Sequence, residues 1–326
     1  MKKGGDLVIV RLGYVAMSMK LENSSPSQTM TYKQFSSLKD RDAALRKLER
    51  IAASNLHNCL RLLRHNAAND IHFFRFSSKL IPLANHPELK DWDYFTGIEA
   101  PLKEIAQFLK DHPMRVDFHP EHFVVLTSSK ADILKNTIKT LQLHYRLIRG
   151  MGVPPEHRCV IHVGGAYEDK EKAMEQFIHN FGFLAPHLQK MLLLENDDTV
   201  YTQHDALYLC EKLQIPLVFD LHHHLANHEY DWEQDWERTI ATWSHSKLPM
   251  KFHISSPRSP SHYKAHADYV DPDMLYGFLQ KINGTVTEID CMIEAKRKDE
   301  ALFQLHEDLS FRKNIEWLDA STFIVH

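Results

Sequence analysis

Six short apolar runs in this chain each finish on a side chain able to bind a metal. They are MRVDFHP at His119, CVIHVGG at His162, MLLLEND at Glu195, PLVFDLHHH at Asp220 and His223, MKFHISS at His253, and DCMIEAK at Glu294. His266 follows in the loop after the fifth of these runs, MKFHISS. Several imidazoles with two or three carboxylates suit Zn²⁺, Mn²⁺ or Fe²⁺ better than Mg²⁺ or Ca²⁺, which take mostly oxygen ligands. A carboxylate shared by two ions about 3.5–4 Å apart would build the clamp used in phosphoryl displacement, and Glu195, in the middle of the series, is the candidate bridge. A lone loop histidine is ordinarily solvated or hydrogen-bonded, the reading given to His57, His65, His144, His179, His187, His204, His228, His245 and His306. In the HHH run at 222–224, alternate residues of a strand end face opposite ways, so at most two reach one cluster.

The elements that must position these groups read as strands buried on both faces, since each run is short and rich in Val, Ile, Leu, Met or Phe. Eight strands are expected: Leu7–Leu12, His72–Phe76, Arg115–Phe118, Cys159–Val163, Met191–Glu195, Leu217–Asp220, Met250–Ile254 and Ile289–Glu294. Helical patterns fill the gaps, among them Arg41–His65, Asp205–Leu213 and Met274–Ile282. Eight βα units predict a single-domain (β/α)₈ TIM barrel spanning 1–326, with a C-terminal extension from about Phe311. The turn after the first strand, RLGYVAMSM, lacks GxGxxG, which disfavours an open nucleotide-binding sheet. In a barrel the catalytic groups come from the C-terminal ends of different strands, where the six runs place theirs.

The composition is that of a globular protein: 326 residues, 43% hydrophobic and 25% charged, with no strong basic balance at a net charge of -4. That charge counts against a nucleic-acid partner unless bound cations change the local balance. The four separated cysteines form no CxxC pair and read as buried hydrophobes. Lys2 and Lys3 precede an apolar run, Leu7–Val10, that is too short for a signal segment, and nothing approaches a membrane span, so a cytoplasmic protein is expected.

At these residues the chain resembles the UV damage endonucleases, a barrel family related to AP endonucleases of the endonuclease IV type. The shared landmarks are RLGYV (11–15), LRLLRHN (60–66), FFRFSS (73–78), LIPLANHP (80–87), VDFHP (116–120), IHVGGAY (161–167), LLLENDD (192–198), VFDLHHH (218–224), KFHISS (251–256), AHADYV (265–270) and MIEAKRKDEAL (292–302). The resemblance implies three divalent ions, commonly manganese, and nicking 5′ to cyclobutane pyrimidine dimers and 6-4 photoproducts in double-stranded DNA. It puts one ion on His119, His162 and Glu195, and a second on Glu195, Asp220, His253 and Glu294. The third falls to His223 and His266, with Lys251 beside them as a carboxylated lysine. A lysine directed at a phosphate is the alternative for Lys251. His86 matches a further family histidine near the centre. Glu195, Lys251 and Tyr14 are the implied catalytic residues. Hydroxide generated on the metal would attack phosphorus in line, the third ion stabilising the leaving 3′ oxygen.

For the lesion, the resemblance assigns contacts to Tyr14, His122 and Phe123. Glu121, His122 and Phe123 stand where the family pattern is commonly Gly-Gln-Tyr, and Ser18 where asparagine is usual. Phe123 keeps an aromatic wedge for the gap left by flipped bases. Arg64, Lys79, Arg258, Lys264, Lys296 and Arg297 are the candidate backbone contacts, which set position rather than sequence. No protein partner is implied, and one site per chain makes a monomer sufficient. The competing readings are an AP endonuclease, a metal-dependent sugar isomerase or epimerase with a snug polyol pocket, and a non-catalytic DNA-binding barrel.

Overall fold

Alternating strands and helices run through the computed structural model, which describes residues 7–326; Lys2 and Lys3 fall outside it. Eight parallel strands close on themselves: β1 (Val8–Val15), β2 (Phe73–Phe76), β3 (Arg115–Phe118), β4 (Cys159–His162), β5 (Leu192–Glu195), β6 (Leu217–Asp220), β7 (Met250–Ile254) and β10 (Glu288–Ile293). They pair in chain order, and β10 returns to β1, so the expected TIM barrel is the fold. Among the described residues no helix is long and apolar enough to cross a membrane.

The outer layer contains α2 (Arg41–Ala68), α3 (Tyr94–Asp111), α4 (Ala131–Gly150), α5 (Lys170–Phe181), α7 (Gln203–Leu213), α10 (Pro272–Ile282) and α11 (Lys298–Leu309). Their starts follow local chemistry. Asp40 accepts from the amides of Asp42 and Ala43 at the head of α2, and Thr202 with Asp205 forms a capping box on α7. The main apolar core lies between these helices and the barrel wall, with Val8, Val10, Leu12 and Tyr14 of β1 facing it.

The barrel interior is different. Side chains of the opposite parity point inward, and apart from a small cluster of Val15, Phe73 and Met292 this interior carries many polar groups. Arg11 and Arg115 share Asp290 at its N-terminal end, and Lys251 pairs with Asp117 at 2.5 Å above them. One further step along the strands brings up His119 and His253.

Most strand boundaries match the expected ones within a residue or two, but β1 extends further, to Val15, with its last four residues all buried. The C-terminal extension has a definite role. β2 pairs with β1 only at Gly13–Val15, leaving the earlier part of that edge open. There β12 (Thr322–Val325) runs antiparallel to Val8–Arg11, backed by β11 (Ile315–Trp317). An exposed strand edge is thereby covered by the chain's own end.

Candidate metal centre

The inward parity delivers the ligand types to one place. Glu195 and Asp220 end β5 and β6, His162 ends β4, and His119 and Glu294 each lie one residue beyond their strands. Register sets His162 beside Glu195 and Asp220 beside His253. Glu195 is fully buried, with Oε2 2.8 Å from His119 Nε2 and 3.8 Å from His162 Nε2, and Oε1 2.8 Å from His253 Nδ1 and 3.5 Å from His223 Nδ1. Glu294 Oε1 lies 3.2 Å from the same His253 nitrogen.

Three sets of donor atoms, each with all members within 4.8 Å of one another, could hold an ion: His119, His162 and Glu195; Glu195, His253 and Glu294; and Glu195, Asp220 and His223. Glu195 belongs to all three. Asp220 therefore groups with His223, whereas the family pattern placed it with His253 and Glu294. β6 passes straight into the short helix α8 (Leu221–Ala226), whose N-cap is Asp220. One carboxylate oxygen accepts from the His223 amide at 2.7 Å, and the other, Oδ2, is buried without a hydrogen-bond donor, 3.7 Å from His223 Nδ1.

The electrostatics suit a divalent cation. Burial and the nearby Glu294 push the Glu195 carboxyl well above its ordinary range. Burial opposes ionisation of Glu294 too, but Arg75, His253, His266 and His119 hold it low. Burial, with Arg75 second, takes His119 down to about 4, and burial also lowers His162 and His253. Burial thus favours the neutral form of all three imidazoles, the form in which a ring nitrogen can take a metal. His223 rises to about 9 because Asp220, Glu195 and Glu294 outweigh its desolvation. Buried carboxylates crowded beside neutral imidazoles, with one oxygen lacking a hydrogen-bond donor, could hold divalent positive charge.

Other expected members are placed differently. The HHH run is helical rather than extended, so its three side chains diverge. His222 lies 2.6 Å from Ser255 Oγ and 2.7 Å from the Tyr263 carbonyl, using both ring nitrogens, while His224 stacks on His228, and only His223 faces the cluster. His266 ends β9 (His262–His266), which pairs with β8 (Pro257–Ser259); its ring is 6.3 Å from that of His223 and its Nδ1 lies 2.9 Å from the Glu294 carbonyl. It borders the donor sets without joining one. Lys251 does not stand beside His223 and His266, because strand alternation sets it below His253, against Asp117. Burial lowers its ammonium to about 8. His86 belongs to no donor set: it caps the turn at Pro87–Leu89 and its ring stacks on Tyr32 at 4.1 Å.

Tyr14 faces outward. It is fully buried, donates to Asn66 Oδ1 at 2.6 Å and packs edge-on against Phe74, so it does not line the rim. Ser18 is likewise buried, donating to Asp299, which also meets His65 at 3.0 Å. Phe123, by contrast, is 59% exposed beside His122, and Lys79 meets Glu121 at 2.7 Å on the same side of the rim. Arg64 and Lys296 are exposed, while Arg297 pairs with Glu300 and Lys264 donates to Thr199.

Two basic residues at the centre escaped the sequence reading. Arg75 is the penultimate residue of β2, and its Nη1 donates to Glu294 Oε1 at 2.6 Å. An Arg next to the end of an apolar run, HFFRF, carried a similar positional signal. Lys298, half-buried near Arg75 and Glu294, adopts a left-handed backbone (φ +53), a strained conformation for a lysine.

The model of the family described as UV-endonuclease UvdE matches residues 10–322. A UV DNA damage endonuclease of Halalkalibacterium halodurans is 50% identical over 92% of this chain and 94% of its own. One of Bacillus cereus is 40% identical over 95% of this chain and 97% of its own. Among solved structures, SacUVDE superposes with a TM-score of 0.81 at 28% identity, covering 92% of this chain and 98% of that one.

Proposed function

Since the chain belongs to the UV-endonuclease UvdE family, we propose that it nicks one strand of duplex DNA 5′ to cyclobutane dimers and 6-4 photoproducts. The observation that carries the reading is Glu195, a fully buried carboxylate common to three donor sets at the open end of the barrel. Three divalent ions, manganese being the expected metal, fit these donors. His119, His162 and Glu195 would hold one. Glu195, His253 and Glu294 would hold a second, and Glu195, Asp220 and His223 a third, with His266 bordering it. Divalent ions held by these residues would acidify a bound water near neutral pH and would offset charge on the phosphate.

The chain's own residues do the rest. Burial keeps His119, His162 and His253 unprotonated, so their lone pairs are available at pH 7. Arg75 orients Glu294 and, with Lys298, adds positive charge where a phosphate would arrive. The exposed Phe123 can stack in the gap left by flipped bases, and His122 beside it can meet base edges. A dimer already weakens stacking, which lowers the cost of flipping and gives the lesion preference. Arg64 and Lys296 serve the DNA backbone in this reading, as exposed cations.

The test is strand nicking of a labelled duplex carrying one cyclobutane dimer, in Mn²⁺ and in EDTA, beside Glu195→Gln. A metal-dependent cut immediately 5′ of the dimer, abolished in the variant, is the expected result. Cleavage at an abasic site without cleavage at the dimer would replace this reading with an AP endonuclease.

A further inference from the structure

At the end of the barrel opposite the metal donors, buried positive charge exceeds its protein partners. Arg11, Arg115, Arg158 and Lys251 share the lower interior with two fully buried carboxylates, Asp290 and Asp117. Asp117 serves Lys251, and Asp290 serves both Arg11 and Arg115. A third carboxylate, Glu288, is 38% exposed at the edge and meets only Arg11, at 3.2 Å. Arg158 is 8% exposed, and its side-chain hydrogen bonds go to the carbonyls of Pro154 and Val116, with no carboxylate in ion-pair range among the described residues. Its guanidinium is lowered to about 10 by burial and by the like charge of Arg115.

Arg115 is the second, independent sign. It is 5% exposed, and although Nη1 reaches Asp290 and the Pro249 carbonyl, Nε and Nη2 are buried without a hydrogen-bond partner. Its guanidinium lies over Phe73 and Trp243, 5.2 and 5.7 Å from the ring centroids. Aromatic faces attract the charge but leave the N–H donors unmade. Arg11, Arg115 and Arg158 all line one cavity of about 440 Å³, with Lys110 and His72 toward its opening. Buried cations ordinarily have anionic partners, because an unpaired one is costly.

We propose that this cavity binds a small oxyanion of the phosphate or sulfate type, held chiefly by Arg115 and Arg158. Planar guanidinium forks match two oxygens of such an ion, and tetrahedral oxyanions leave acceptors for a second arginine. The site is separate from the DNA-cutting rim, at the other end of the same strands. Its occupant therefore acts as an internal counter-ion that tightens the lower barrel.

The test is calorimetric titration of the metal-loaded full chain with sulfate, against chloride at matched ionic strength. One sulfate should bind per chain, and bind equally in Glu195→Gln, which disables the metal centre. Arg158→Gln should weaken it by about tenfold or more, the scale of a lost charge-assisted contact. Should Arg158→Gln not fold, Lys110→Glu, at the exposed opening, should still weaken binding severalfold. No sulfate-specific binding overturns the proposal, as does binding that is lost in Glu195→Gln but kept in Arg158→Gln and Lys110→Glu. Failure of lesion nicking leaves this result untouched, since neither arm reads DNA cleavage.

Discussion

Replacing Arg75 by methionine keeps the length of the side chain and removes its charge beside Glu294. The two groups are 2.6 Å apart, and their side chains are only 12% and 11% exposed. Removing one partner of a buried pair costs about 3–5 kcal/mol, because the other charge is stranded. His253, 3.2 Å from the same carboxylate oxygen, offers partial compensation, which favours the lower end. At roughly 2 °C per kcal/mol for a chain of this size, the metal-free variant should melt about 6 °C below the wild type. A divalent ion on Glu294 supplies the lost counter-charge, so the difference should shrink to less than half with saturating Mn²⁺. The same reasoning makes the metal-induced rise in Tm larger in the variant, since a ligand stabilises the folded state by its binding free energy. Thermal melts of both proteins in EDTA and in Mn²⁺ decide the matter. Equal destabilisation in both conditions would refute the claim that Arg75 and the metal share one carboxylate as a charge partner.

Three other perturbations probe separate parts of the molecule. Phe123→Ala should weaken binding of dimer-containing duplex by roughly five- to hundredfold, the worth of one stacking platform, with Tm unchanged because the ring is largely exposed; a change in Tm without a change in affinity would make it a packing residue. His144 is buried with Nε2 unpartnered, and burial lowers it to about 4. Its folded value lies below its unfolded one, so the unfolded state takes the proton first and stability falls as pH drops from about 6.5 toward 4. His144→Leu should flatten that part of the metal-free stability profile relative to the wild type, and parallel profiles would count against it. Gly13→Ala would put a Cβ 2.5 Å from the Phe73 carbonyl oxygen and 2.7 Å from its ring, inside the barrel. Overpacking of that kind costs about 1–3 kcal/mol, read as a lower denaturant midpoint at constant slope.

The strands and the imidazoles and carboxylates at their ends were legible in the sequence because both are local properties. Apolar runs of the right length mark buried strands, and an inward residue at one strand end implies another two positions earlier. His119 over Asp117 and His253 over Lys251 follow from that period of two. The resemblance to a barrel family then agreed with the pattern of elements. Where the local pattern changed type, the reading went astray: 222–224 continue as a helix, which turns His222 and His224 away from His223. Tyr14 shows a similar limit, since its place near a strand end does not tell which face it takes, and parity sends it to the helices and Asn66.

By itself, then, the sequence determined that eight βα units would bring imidazoles and carboxylates to one rim, through spacings that span only a few residues each. Only the closed barrel decided the pairings between distant strands: Arg75 with Glu294, Lys251 with Asp117, Arg115 with Asp290, and β12 along the open edge of β1. Those partners are set by strand stagger and ring closure, and they lie 134 to 219 residues apart for the three ion pairs. Charge compensation in a buried interior depends on which groups meet across it, and that information exists only once the chain has closed on itself.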